Sequence, residues 1–335
     1  MIITGKELNK IKLLFLHDIF SRQTDSEHVY SATELCDLLE DYGISCERKS
    51  IYSDIDALRE YGMDIVNVRS PKRGYFLNSR KFDIAEVRLL IDAVQAAKFI
   101  SSKKTKALIY KIGNLLSEYQ EEQLREQIYV DSSFKSEKED LYEIIKTLDS
   151  SIKRGKQVEL IYSKRKLENR YLKKTEGKTF LVNPYSLLWS NDHYYLVCNN
   201  DKYNNLMHLR LDRIESVKTL ESKAKHFSRV SKYKDKFDTA DYSNKLFNMY
   251  TGELGQIELC CDNMLIDDIL EKFGEDVPVK IFDENHFIFK ADAELSNGLV
   301  SWIMQFGAEI KVVSPKVLAD AVAEKAKDIL SVYSN

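Results

Sequence analysis

Residues 183–200 read NPYSLLWSNDHYYLVCNN, two apolar runs separated by the pair Asn191-Asp192. Asparagine and aspartate tolerate the left-handed backbone region, so this pair is typical of a tight turn between antiparallel strands. The stretch therefore predicts a β-hairpin with one strand ending at Ser190. Alternation gives the second strand two faces: Tyr194, Leu196 and Cys198 on one, and His193, Tyr195 and Val197 on the other. Both faces carry large side chains, so the second is either another packing surface or a binding surface.

The neighbouring sequence extends this hairpin into a β-rich region over residues 157–219. QVELIYSK begins it, a turn follows at Thr175-Glu176-Gly177, and MHLRLDRI (207–214) lies downstream of the hairpin. Five or six short strands in so short a region predict a small β-barrel of the SH3 or Sm type.

Alternation along these strands collects a polar and aromatic set of candidate ligand-binding residues: Tyr162, Tyr185, His193, Tyr195, His208, Arg210 and Arg213. Arginine beside aromatic rings binds phosphates and stacks on bases. Alternatively, the tyrosines fill the barrel and the arginines pair with local acids such as Asp212 or Glu215. Strand register cannot be read from the pattern, so both interpretations stay open.

The first eighty residues predict three short helices and a hairpin. The first helix, 6–20, has Leu8, Ile11, Phe15 and Ile19 on one stripe. Ser31 and Glu34 have capping-box spacing at the start of the second, and Gly43 ends it. The third runs to Gly62 with Ile51, Ile55 and Leu58 inward, and two strands then flank a tip at 70–74.

This order is typical of a winged helix-turn-helix, in which the third helix enters the major groove of duplex DNA. The candidate DNA-binding residues are Arg48, Lys49, Ser50, Tyr52 and Ser53 on that helix, and Arg69, Lys72 and Arg73 in the wing. Any one of these features alone would favour a solvated surface, whereas the ordered set favours DNA. The acidic residues Asp54, Asp56 and Glu60 restrict groove contact to the first turns of the helix.

A helical connector and a C-terminal domain complete the pattern. Leu89, Leu90, Ala93 and Ala97 form an apolar face that packs either within the chain or against a second copy, and DNA-binding domains of this kind commonly act as homodimers. Residues 131–140 are polar and predict a boundary. Residues 223–254 predict a solvated linker in preference to the alternative, an extension of a nucleic-acid surface by their lysines and arginines beside tyrosine and phenylalanine. From residue 255 the order β-α-β-β-α-β predicts a ferredoxin-like unit plus one helix, with Ser314 as its N-cap and Trp302 and Phe306 in the core.

Composition limits the function classes. The 335 residues carry a net charge of −3, so nucleic-acid affinity requires local basic patches. Five cysteines without a CxxC pair, no membrane-length apolar run and no signal-peptide core predict a soluble, reduced, cytoplasmic protein that does not associate with membranes. The sequence has no phosphate-binding glycine loop, metal-ligand spacing or nucleophile elbow, so we expect no catalytic residues, metal or cofactor.

NPYSLLWSNDHYYLVCNN followed by MHLRLDRIESV resembles the WYL domain, whose name-giving tripeptide here reads Tyr194-Tyr195-Leu196. The upstream Pro-Tyr pair and the Arg-containing strand downstream belong to the same resemblance. RKSIYSDIDALREYGMDI is similar to the winged helix usually fused to that domain, and the C-terminal part resembles the extension that often follows it. Tyr194 stands in place of the family's tryptophan, Met207 in place of a frequent arginine, and Ser53 in place of a frequent basic residue.

The resemblance implies a bacterial transcriptional regulator that binds an operator in double-stranded DNA and senses a nucleic-acid or nucleotide-like ligand, single-stranded DNA among them. The expected architecture is multidomain α+β: a winged helix-turn-helix over 1–79, a helical connector over 80–150, an Sm-like WYL barrel over 151–222, a linker over 223–254 and a ferredoxin-like domain over 255–335. The alternative function is an Sm-like module that binds single-stranded nucleic acid without a role in transcription.

Overall fold

A computed structural model describes residues 5–127, 135, 138–168 and 170–334. It is a mixed α+β structure, as predicted, and it divides into two compact units, Met1–Glu137 and Lys138–Asn335. The polar boundary expected at residues 131–140 falls largely outside the described residues.

The first unit contains the three predicted helices and the predicted hairpin, followed by three more helices. The elements are α1 (Gly5–Gln23), α2 (Ala32–Asp41), α3 (Arg48–Glu60), β1 (Ile65–Val68), β2 (Gly74–Leu77), α4 (Ile84–Ala96), α5 (Ser102–Gly113) and α6 (Glu118–Gln127). The capping box of α2 is present, since Ser31 Oγ accepts the Glu34 amide and Glu34 accepts the Ser31 amide. These reciprocal bonds satisfy amides that the first helical turn leaves without a partner.

The core of the first unit lies between α1, α2, α3 and the hairpin. Ile51, Ile55 and Leu58 are buried, as predicted for α3. The stripe predicted for α1 is too narrow: Ile19 is buried as predicted and Ile11 and Phe15 pack against the core, but Leu16 and Phe20 are also fully buried. A helix that packs against several neighbouring elements buries a wider stripe than a single row of residues three or four apart. The predicted row that starts at Leu8 is narrower than the buried surface.

The predicted apolar face of α4 does not pack as a unit within the chain. Val87 and Ile91 are buried instead, while Leu89 is 70% and Leu90 40% exposed. The face that the sequence left open between internal packing and a second copy therefore lies largely on the surface, with only Ala97 buried.

Helix α6 is joined to α1 and to the loop before α2 by polar contacts. Arg22 Nη2 lies 2.9 Å from Glu121 Oε2, and Ser117 Oγ donates to Asp25 Oδ2 at 2.8 Å. The rings of His28 and Tyr119 stack in parallel with centroids 3.4 Å apart. Helix α6, in the middle of the predicted connector, is therefore part of the same compact unit as the three N-terminal helices.

The second unit begins with a helix and a largely antiparallel β region. Its elements are α7 (Leu141–Lys153), β3 (Lys156–Tyr162), β4 (Arg165–Glu168), β5 (Tyr171–Lys174), β6 (Lys178–Ser190), β7 (His193–Asn200), β8 (Met207–Arg210) and β9 (Ile214–Lys223). Five strands form one sheet in the order β8-β7-β6-β3-β9, and β4 and β5 form a separate two-stranded hairpin. Helix α7, which the sequence assigned to the connector, packs on this sheet.

The predicted hairpin at residues 189–198 is confirmed. Ser190 pairs with His193, and Asn191 and Asp192 have φ angles of 47° and 58°, the left-handed values that a two-residue turn requires. Leu196, Val197 and Cys198 are all fully buried, so both faces of β7 are covered.

The prediction of a solvated linker at residues 223–254 is wrong. Residues 227–250, here called the covering segment, contain the short helix α8 (Thr239–Asn244) and contribute five buried apolar side chains to one cluster: Val230, Phe237, Tyr242, Leu246 and Met249. They pack against Leu188 and Val197 of the hairpin. The physical reason is that the second face of the hairpin is itself apolar and is stabilised when it leaves water.

The C-terminal part has the predicted β-α-β-β-α-β order. Its elements are β10 (Glu253–Asp262), α9 (Ile266–Phe273), β11 (Val279–Ile281), β12 (His286–Leu295), α10 (Asn297–Met304), β13 (Ile310–Ser314) and α11 (Lys316–Tyr333), with sheet order β11-β12-β10-β13. Trp302 packs against Phe247, Phe273 and Phe306, as expected of a core residue. The predicted cap of α11 is one residue off, since Pro315 and not Ser314 is the N-cap.

Candidate nucleic-acid and ligand sites

The first turns of α3 present most of the predicted DNA-binding side chains to solvent. Four of them are exposed: Arg48, Lys49, Tyr52 and Ser53. The reason is that Ile51 and Ile55, one helical turn apart, place the opposite side of the helix in the core. Two cations, an aromatic ring and a hydroxyl therefore share one accessible surface.

Ser50 differs from its neighbours on α3. Its hydroxyl accepts a hydrogen bond from Lys12 Nζ, which also lies 2.6 Å from Asp54 Oδ2. Lys12 is only 4% exposed, so this contact joins α1 to α3 from within the unit. The structure thus gives Ser50 an internal partner, and Asp54, which appeared in the sequence as part of an acidic patch, neutralises a buried lysine.

The wing residues fall into two groups. Arg69 and Arg73 are exposed at the hairpin. Lys72 turns back to α2, where its Nζ lies 2.6 Å from Glu34 Oε1 and 5.8 Å from the centre of the Tyr30 ring. The hydrogen bond from Lys72 lowers the pKa of Glu34, whose other oxygen accepts the Ser31 amide in the capping box. One wing lysine is therefore paired with the N-terminal turn of the second helix.

The predicted ligand-binding set divides into two halves. The covered half, Tyr185 and His208, contacts the covering segment. His208 Nδ1 donates to the Met249 carbonyl at 2.8 Å, and its Nε2 lies 3.0 Å from the Tyr242 hydroxyl. Burial lowers the pKa of His208 below its ordinary value of 6.5, so the imidazole is held neutral.

Tyr185 lies in an aromatic cluster. Its ring centroid is 6.2 Å from that of Phe227 and 6.3 Å from that of Phe237. Burial raises the pKa of Tyr185, and no described residue hydrogen-bonds its buried hydroxyl. Tyr162 is likewise internal at 7% exposure, with its hydroxyl 3.4 Å from the Arg210 amide. For these tyrosines the structure agrees with the alternative in which they fill the protein interior.

The basic half consists of His193, Arg210 and Arg213, together with Asp212, the acid that pairs with Arg210. Arg210 binds Asp212 through two hydrogen bonds, Nε to Oδ1 at 3.0 Å and Nη2 to Oδ2 at 2.7 Å. Burial alone would raise the pKa of Asp212, but the hydrogen bonds and charge of Arg210 lower it. Burial and then the charge of Arg210 lower the pKa of His193. This half keeps a net positive charge on partly exposed side chains.

Tyr195 links the two halves. Its ring lies edge-on to His193, with centroids 6.3 Å apart, and it also packs against the apolar cluster under the covering segment. The structure therefore brings His193, Tyr195 and Arg210 together, and Arg213 lies in the turn that follows β8. The other three predicted residues are packed in the interior or hydrogen-bonded within the protein: Tyr162, Tyr185 and His208.

A buried polar network in the second unit was missed by the sequence analysis. Asn183 and Asn199 are fully buried, and Asn183 Nδ2 donates to Asp201 Oδ1 at 2.7 Å. Gln157 Nε2 reaches Asn183 Oδ1 at 2.9 Å, and the Lys225 amide donates to the same oxygen at 2.8 Å. The signal that predicts it is a pair of asparagines inside otherwise apolar strands. Buried amides need partners, so this network holds β3, β6 and β7 to the chain leading into the covering segment.

A cavity of about 480 Å³ borders the covering segment, with lining residues that include Lys232, Tyr233, Lys245 and Glu294. Asp241 beside it accepts the Tyr233 hydroxyl at 2.6 Å and pairs with both lysines. Although burial opposes it, these contacts lower the pKa of Asp241 to about 2. The lysine charges at this cavity are therefore already partly neutralised by an internal acid.

Among the residues that the structure describes, no cluster of three or more histidine, cysteine, aspartate or glutamate side chains has an arrangement that could hold a metal ion. None of the described helices is both long enough and apolar enough to cross a membrane.

Comparisons with known proteins identify two domains. The family model of the WYL domain matches residues 143–219, and that of the WCX domain matches residues 266–330. These matches confirm the WYL resemblance and name the extension that follows it. No curated protein matches the sequence. Among solved structures, proteasome accessory factor B/C (PafBC) of Arthrobacter aurescens is 13% identical with a TM-score of 0.29, covering 97% of this chain and 49% of that one. The chain thus spans about half the length of that protein.

Proposed function

We propose that this protein, which carries a WYL domain followed by a WCX domain, is a transcriptional regulator that binds duplex DNA through its N-terminal unit and senses an anionic ligand through its WYL domain. The observation that carries the proposal is the exposed surface of α3 beside an arginine-bearing hairpin, in the same chain as a WYL domain.

The N-terminal unit supports DNA binding as a winged helix-turn-helix. Arg48 and Lys49 are exposed on the first turn of α3, and Arg69 and Arg73 flank the hairpin tip. In winged-helix proteins the third helix reads base edges in the major groove while the wing contacts the neighbouring phosphates. Because the whole chain is slightly acidic, this local concentration of cations is what would attract the DNA backbone.

The five-stranded sheet supports an Sm-like barrel as the sensing domain. Its strands follow the order β8-β7-β6-β3-β9, and the two edge strands, β8 and β9, are joined by only the three residues Leu211–Arg213, as a curled sheet allows. The basic half of the ligand set is the proposed sensing surface. A phosphate would bind Arg210 either beside Asp212 or in its place. Both are possible because a guanidinium group forms bidentate hydrogen bonds with carboxylates and with phosphates.

Homodimerisation is the proposed means of doubling the DNA contacts. Leu89 and Leu90 on α4 give the N-terminal unit an apolar surface that a second copy would bury. A ligand that binds one dimer arrangement better than another would change the fit of the two winged helices to their half-sites.

Selection of duplexes from a random pool by the full chain tests the DNA-binding part. The replacements Arg48→Ala and Lys49→Ala together should lower affinity for the selected duplex about tenfold or more and flatten its salt dependence by roughly one unit of slope per lost phosphate contact. The matched control is Lys103→Ala with Lys106→Ala, which removes the same charge from the exposed surface of α5. Equal loss in both pairs would mean that α3 is not the DNA-reading helix.

Binding measurements with duplex and single-stranded DNA also distinguish the proposed regulator from the alternative function. A chain that bound single-stranded oligonucleotides but selected no duplex, even at low salt, would be a single-strand-binding module. In that case the N-terminal helices would serve assembly and not operator recognition.

A further inference from the structure

The two-stranded hairpin β4–β5 concentrates positive charge. Residues 163–178 read SKRKLENRYLKKTEGK and contain seven lysines and arginines but two glutamates, in a chain whose net charge is −3. The hairpin forms a two-stranded sheet of its own, and the described cationic side chains on it are exposed. Such a departure from the overall charge marks a local surface for a polyanion.

The pairing within the hairpin is electrostatically unfavourable. Arg165 lies directly opposite Lys174, and Lys166 lies opposite Lys173. Like charges in directly opposed positions destabilise a hairpin. Glu168 compensates one pair, since its carboxylate lies 3.3 Å from both Lys166 and Lys173. Among the described residues no carboxylate forms an ion pair with Arg165 or Lys174, so this pair remains uncompensated.

Two large apolar side chains accompany these cations. Tyr171 is 72% and Leu167 is 76% exposed. An exposed aromatic ring among cations is the chemistry with which proteins stack unpaired bases while they track the phosphate backbone. Bases inside a duplex are already stacked on each other, so the exposed ring favours a single strand.

The base of the hairpin is continuous with the basic half of the ligand set. The Ser163 amide, two residues before β4 begins, donates to the Arg213 carbonyl at 3.0 Å. The Tyr162 hydroxyl, on the residue before Ser163, accepts the Arg210 amide at 3.4 Å. A chain of phosphates that reached Arg213 would therefore meet the hairpin next.

We propose that hairpin β4–β5 is a binding arm for the phosphodiester backbone of a single-stranded nucleic acid that also occupies the basic half. Arg165 and Lys174 bind phosphates, and Tyr171 stacks on a base. This inference rests on the proposed sensing role of the basic half, and it makes the ligand an oligonucleotide, because phosphates bound on both surfaces belong to one continuous backbone.

Fluorescence anisotropy of the full chain with labelled oligothymidylate of twelve nucleotides tests the arm. Arg165→Glu with Lys174→Glu should weaken binding about tenfold or more at low salt and reduce the salt slope by about 1.4, the value for two single-strand phosphate contacts. The matched control, Lys316→Glu with Lys327→Glu on α11, makes the same change in net charge and should leave binding within about twofold.

A second variant tests stacking. Tyr171→Ala should weaken binding about tenfold without a change in salt slope, whereas Tyr333→Ala, which removes an even more exposed ring from α11, should have no effect. Unchanged affinity in both hairpin variants would overturn the proposal. So would a larger loss for anionic lipid vesicles or for duplex DNA than for oligothymidylate, since the arm would then serve another polyanion.

The outcomes distinguish this proposal from the proposed function. If the wild-type chain binds a selected duplex but not oligothymidylate, the arm is refuted and the regulator survives. If it binds oligothymidylate through the hairpin but selects no duplex, the arm stands and the regulator is refuted.

Discussion

The two halves of the candidate ligand set share strands but differ in what lies against them. In the covered half, His208 is hydrogen-bonded to Met249 and Tyr242 of the covering segment. In the basic half, Arg210 is bonded to Asp212, two residues away on the same stretch of chain. A polar side chain that faces out of a sheet is therefore a candidate for ligand binding only where no other segment of the chain covers it and forms hydrogen bonds with it. Four predictions test this difference.

Phe237→Ala should have the largest effect, because it empties the centre of the aromatic cluster over the covered half. Phe237 is 9% exposed and contacts Tyr185, Phe227, Tyr233 and Tyr242. We expect a loss of about 3 kcal/mol in the free energy of unfolding, measured by denaturant titration. Tyr203→Ala, at an exposed ring, should change it by less than about 0.5 kcal/mol. Equal effects would mean that the covering segment contributes no packing.

His208→Gln should cost about 1 to 2 kcal/mol at pH 7.5, since the amide replaces only part of the hydrogen bonding to Met249 and Tyr242. The cost should shrink at lower pH. The folded state holds His208 neutral with a lowered pKa, so the unfolded chain protonates first as pH falls below about 6.5 and wild-type stability declines there. The glutamine variant lacks that contribution. Thermal melts at pH 7.5 and 5.5 check this, and a pH-independent difference would contradict it.

Arg210→Ala should cost about 1 kcal/mol in stability, because the pair with Asp212 is about one quarter exposed. The pKa of Asp212 is lowered by Arg210, so the stability that the pair contributes is present at neutral pH and lost as pH falls through the lowered value. The variant should therefore lose less stability on acidification than wild type. Under the proposed function it should also abolish the ligand response while duplex affinity stays intact, and an unchanged response would remove Arg210 from the site.

His193→Ala should have the smallest effect on stability, below about 0.5 kcal/mol, because its described ring contact is an edge-on one to Tyr195. Its expected effect is on oligothymidylate affinity alone. A loss of stability comparable with that of the His208 variant would erase the distinction between the two halves.

Local signals explain why most of the fold was predictable. The Ser31–Glu34 capping box, Gly62 with its φ of 110° and the Asn191-Asp192 turn each depend on a few neighbouring residues, so the sequence pattern reports them directly. Residues 48, 49, 52 and 53 of α3 were predictable as an exposed surface for the same reason, since helical periodicity assigns the opposite side to the core.

Long-range contacts explain what was not predictable. The aromatic residues of the covering segment have no helical or strand period, and their partners lie in β6 and β7, far away along the chain. Lys12 is similar: the sequence pattern does not distinguish it from a surface lysine, but in the structure its ammonium group is buried beside Asp54 and Ser50. Deciding between packing and binding for Tyr185 and His208 required knowing which segment returns to cover them.

The pair between Lys72 and Glu34 has a consequence for ion uptake and release. When a protein cation meets a DNA phosphate, ions condensed on the DNA are released, and this release makes binding salt-dependent. If a DNA phosphate displaced Glu34 from Lys72, the Glu34 carboxylate would bind a cation from solution. The uptake of that cation would offset the release of one cation from the DNA. In the proposed mode the exposed Arg73 therefore contributes to the salt slope and Lys72 does not, which makes the wing less sensitive to ionic strength than its three positive charges imply.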